Sequence, residues 1–88
     1  MKKIRSAIIN DKRHRIVWRK LGREKADGLA WPDICQIEIE ERLNPIDAFD
    51  TLIHEYLHRA LPDIEEDKVY KMANEITNML DKADLIKR

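Results

Sequence analysis

The sequence predicts an α+β fold: a small antiparallel sheet, made of an N-terminal hairpin and a strand near 34–40, followed by two helices. Three observations predict it. Short β-branched or alternating segments are confined to the first forty residues, and a helix-start signal sits at Asn44-Pro45. Beyond that point apolar residues recur at intervals of three and four up to the C-terminal region.

Residues 4–9 are rich in β-branched side chains, Asn10-Asp11 is turn chemistry, and residues 13–21 alternate with Ile16 and Trp18 on one side, which together read as a hairpin. A charged loop follows Gly22. Asp27-Gly28, a pair that tolerates positive φ, then leads into a short extended piece, Leu29-Ala30-Trp31, before Pro32. Residues 34–40 alternate cleanly, with Ile37 and Ile39 on one face and Gln36, Glu38 and Glu40 on the other, so the polar face is expected to meet solvent.

The first helix is expected from Pro45 to about Leu61, with Asn44 as its cap and Asp47 in its first turn. Ile46, Phe49, Ile53, Tyr56, Leu57 and Ala60 form its predicted core stripe. Pro62 ends it. Asp63 is the expected cap of the second helix, whose stripe is Val69, Met72, Ala73, Ile76, Met79, Leu80 and Ala83.

Composition narrows the function classes. With 88 residues and 43% apolar side chains the chain can bury one modest core, so 1–88 is read as a single domain and a large multidomain enzyme is excluded. No apolar run approaches the roughly 18 residues of a membrane span, and residues 1–10 lack the apolar stretch of a signal peptide. One cysteine, Cys35, can form no disulfide within the chain, and a soluble cytoplasmic protein is expected. Seventeen basic and seventeen acidic residues cancel, but residues 1–30 hold ten basic against three acidic, so the N-terminal third is strongly cationic.

Within the first helix, His54-Glu55-Tyr56-Leu57-His58 is an H-E-x-x-H pattern. Residues four apart on a helix lie one turn apart on one face, so two imidazoles can converge on a single zinc ion. Glu55, rotated about 100° from His54, is placed to take a proton as a general base. The histidines fall at the border of the apolar stripe, beside Asp47, Asp50 and Thr51, where a ligand is supported on one side and open on the other.

A catalytic zinc site requires a third protein ligand. Asp63, Glu65, Glu66 and Asp67 follow the helix, and His14 and Cys35 are the other typical donors. Asp67 points well away from the second helix's stripe, and Glu66 sits at its border with Glu65 closer in. With Asp63 as cap, Glu66 also fits a capping box, so spacing divides it between ligation and capping.

Thr51-Leu52-Ile53-His54-Glu55-Tyr56-Leu57-His58, followed by Pro62-Asp63 and an acidic cluster, resembles the small zincin-like metallopeptidases of phages and prophages, whose usual run is T-L-I-H-E-L-L-H. The resemblance extends to Asp27-Gly28-Leu29 and the strand at 37–40, and implies a minimal zincin-like fold, most naturally in the cytoplasm of a bacterial host. A more distant similarity to the ImmA/IrrE peptidases, with an E-x-x-A-N-x-x-A helix, aligns Glu66 with their ligand glutamate, Val69 and Ala73 with the alanines, and Tyr70 with the asparagine. It implies Zn2+ held by His54, His58 and Glu66.

The leading expectation is a zinc metallopeptidase, a hydrolase acting on a peptide or protein substrate. Strand 36–40 could align an extended substrate if it lies at the sheet edge. Tyr56 and Tyr70 are the candidates for oxyanion stabilisation, with Tyr56 expected in the core. The alternative is a zinc-stabilised binding module contacting nucleic acid or a partner protein through Lys12, Arg13, Arg15, Arg19, Lys20, Arg23 and Lys25, with Trp18 among them.

Overall fold

The computed structural model describes residues 2–22 and 27–87. The loop predicted after Gly22, with Arg23 and Lys25, lies outside them. The order is β1 (Ser6–Ile9), β2 (Lys12–Arg19), β3 (Gly28–Trp31), a 3-10 turn (Pro32–Ile34), β4 (Gln36–Glu40), α1 (Pro45–Ala60) and α2 (Glu66–Lys82). The fold is α+β, as predicted.

Asn10 and Asp11 both take positive φ, at 51° and 64°, the primed turn whose twist matches a two-residue hairpin. Asn10 also donates through its side chain to the carbonyl of Ala60 at 3.0 Å, tying the hairpin to the end of α1. The sheet has four strands in the order β1-β2-β4-β3 and is mixed, not wholly antiparallel as predicted, since β4 pairs parallel with β2. The short extended piece predicted at 29–31 is a full strand. Because β4 inserts between β2 and β3, it runs parallel to β2, with Ile16 beside Ile37, and antiparallel to β3. β4 is therefore interior, and β3, like β1, is an edge strand.

Ile9, Ile16, Ile37 and Ile39 form the buried core on one face of the sheet, with Leu52 and Ala60 of α1 packed onto them. Leu57 of α1 packs on the other side against Val69 and Ala73 of α2, joined by Ile53 and Ile64. α1 is thus gripped by the sheet on one flank and by α2 on another. Asn44 caps it as predicted, its Oδ1 accepting from the Asp47 N–H at 2.9 Å.

That double grip corrects two expectations. Tyr56 is not core: it is 47% exposed and belongs to neither packed cluster. On α2, Met72 and Met79 are also exposed, because α2 meets α1 through the narrower stripe Val69, Ala73 and Thr77.

Glu38 and Glu40 do not point freely to solvent either. Arg19 bridges Glu38 at 2.7 Å and Arg42 bridges Glu40 at 2.7 Å, so arginine side chains cover both carboxylates and leave them buried. Among the described residues no helix is long and apolar enough to cross a membrane.

Candidate metal centre

The centre forms where α1, α2 and the start of β3 meet. The one-turn spacing of His54 and His58 brings their Nε2 atoms to 3.2 Å from each other. Glu66 reaches over from α2, one carboxylate oxygen 3.0 Å from His54 Nε2 and the other 2.8 Å from His58 Nε2. Among the described residues these three are the group of donors able to hold a single metal ion, their ligating atoms all lying within 4.8 Å of one another. The two imidazoles and the carboxylate suit zinc-type coordination.

The capping box does not form. Ile64 N–H donates to the Leu61 carbonyl in a turn that takes up residues 62 and 63, so Glu65 is the N-cap of α2 and Glu66 its first helical residue. Asp63 is not the cap, and neither Asp63 nor Glu65 belongs to the donor group. The start of α2 decides between the readings that spacing left open, because at this position the Glu66 carboxylate faces α1.

His14 is committed elsewhere. It is buried, with Nδ1 2.9 Å from the Lys12 carbonyl, and Nε2 accepts from Arg59 Nε at 3.2 Å, which uses both ring nitrogens in the neutral tautomer. Cys35 ends the 3-10 turn with φ of 48° and stands apart from the donors.

A cavity of about 490 Å³ opens over the donors, lined also by Asp27, Gly28, Asp50, Thr51, Glu55 and Tyr70. Glu55 is 6% exposed, and burial pushes its carboxyl up, with His58 opposing the shift and Glu66 adding to it. A carboxyl raised in this way keeps its proton to higher pH than an exposed one, which suits it to proton exchange. Asp50 is likewise pushed up by burial, partly offset by His54, and its Oδ1 is buried without a hydrogen bond.

Gly28 explains how β3 comes so close. Its φ is not positive, so the predicted turn role is absent. A Cβ there would meet Thr51 Cγ2 at 2.7 Å and Glu55 Cγ at 3.1 Å, so the bare backbone is what allows β3 to lie against α1 at the catalytic candidate. Tyr70, exposed at the rim, presents its ring edge-to-face to His54 with centroids 4.7 Å apart.

The helical periodicity places Asp50 and Thr51 beside the histidines, whereas Asp27 and Gly28 enter as turn chemistry and in the resemblance to zincin-like segments, with no contact to α1 implied. Their place against α1 depends on long-range strand pairing, for which the local pattern carries no signal. No family model, curated protein or solved structure matches the chain.

Proposed function

We propose that the protein is a zinc-dependent metallopeptidase, a reading carried by the placement of both Glu66 carboxylate oxygens against the two histidine Nε2 atoms, with Glu55 buried alongside. His54, His58 and Glu66 would hold Zn2+, leaving an open coordination position as catalytic sites require. A zinc ion so held supplies Lewis acidity, polarising a peptide carbonyl and bringing the pKa of a water towards neutral. The likeness of residues 51–58 to the small phage-type zincins supports the same reading.

The chain's own groups then divide the work. Glu55 accepts a proton on its carboxylate and returns it to the departing amine. Tyr70, at the rim beside His54, is the tyrosine positioned to donate to a developing oxyanion; Tyr56 lies outside the cavity lining. Extended substrate would add to the free edge of β3, where Gly28 lines the cavity, and not to β4, which is interior.

The test is Glu55→Gln. It should retain zinc and fold while cleavage of an unstructured protein falls by roughly 100-fold or more, the usual contribution of a general base. Cleavage at the wild-type rate by the zinc-loaded variant would remove Glu55 from the role.

A further inference from the structure

Both helices lie to one side of the sheet. Ile16, Ile37 and Ile39 face α1, so Arg13, Arg15 and Val17 of β2 project from the opposite face, where no described element covers them. The register makes one row straight across that face: Ser6 opposite Arg15, Arg15 beside Gln36, and Gln36 opposite Trp31. A second row pairs Ile8, which is exposed, with Arg13.

Charge on this face is not balanced internally. Glu38 is engaged by Arg19 and Glu40 by Arg42, whereas Arg13 and Arg15 have no ion-pair partner among the described residues. A groove of about 400 Å³ at the edge of β2 adjoins this face through Arg15 and Val17, its other lining residues being Lys3, Arg5, Ile16 and Trp18. Trp31 is 46% exposed at the far end of the Arg15 row. Unpaired guanidinium groups at the two-residue spacing of a strand, roughly 7 Å, with a partly bare indole in line, match a polymer that alternates phosphate and flat base.

We propose that this open sheet face and the groove at its edge bind single-stranded nucleic acid, Arg13 and Arg15 on the face and Arg5 in the groove contacting phosphates and Trp31 stacking on a base. The face lies across the sheet from the metal centre, so occupancy of one leaves the other accessible.

Fluorescence anisotropy with a labelled oligothymidylate of about 20 nucleotides tests it on the full chain. Three phosphate contacts predict a slope of log affinity against log salt near −2, so binding should weaken about 20-fold between about 50 and 200 mM salt. Arg13→Gln with Arg15→Gln should reduce the slope to about −0.7. Trp31→Ala should weaken binding roughly 5-fold to 100-fold, and Trp31→Phe should restore most of it. His54→Ala should bind as the wild type does. No binding at about 50 mM salt would overturn the proposal. So would unchanged binding by the folded double-arginine variant, or equal competition by polyglutamate, which lacks bases.

Discussion

The carboxylate of Glu66, the first residue of α2, lies 2.8 Å from Nε2 of His58, near the end of α1. A turn of residues between the helices therefore delivers the third donor to a pair that α1 alone orients. Glu66→Gln should lower zinc affinity by more than the 10- to 100-fold typical of outer-shell changes, because a direct ligand loses its charge. Glu65→Gln, one residue away and outside the group, should leave affinity unchanged. Competition titration against a chromophoric chelator distinguishes the two, and equal losses would contradict the assignment.

Gly28 and Thr51 define a second dependence. Gly28→Ala forces its new methyl against Thr51 Cγ2, at 2.7 Å, and should cost about 1–3 kcal/mol of stability in chemical denaturation. Thr51→Ser removes that methyl, so the double variant should recover part of the loss. Purely additive losses would place the strain elsewhere.

Buried Glu55 carries a cost at neutral pH. Its native pKa is raised, so as pH climbs above the ordinary carboxyl range the folded metal-free protein holds a proton that the unfolded chain has released, and stability falls. Glu55→Gln should match the wild type in acid and exceed it near pH 7. A variant less stable than wild type at neutrality would refute the burial argument.

Glu40 works in the opposite sense. Hydrogen bonds from the Arg42 side chain and backbone and from the Leu21 N–H hold its carboxyl down at about 2, against an ordinary 4.5. Its contribution is complete above the unfolded value and is lost as pH falls from about 4.5 to 2. Glu40→Gln should flatten the acid limb of the stability profile across that window, which a urea titration at each pH would show.

Local signals made much of the fold legible: Asn44-Pro45 begins α1, Asn10-Asp11 makes the hairpin turn, and Ile37 and Ile39 mark the buried side of β4. His54, Glu55 and His58 were legible for the same reason, since helical periodicity alone sets their relation. Glu66 could not be separated from a capping role by spacing, because the choice rests on where α2 starts, and the turn at Leu61–Ile64 settles that. Gly28 became part of the site only through the pairing of β3 with β4. Glu38 went the other way, covered by Arg19 from a strand distant in sequence, while Glu40 is covered by Arg42 two residues on and Tyr56 is left exposed.

The metal centre itself is tested most directly by counting metal per chain, using mass spectrometry on protein purified without a histidine tag or added metal. The account predicts about one zinc per chain in the wild type and loss of that zinc in His58→Ala, since only two protein donors would remain. A wild-type chain that holds no metal even after zinc is supplied would contradict it.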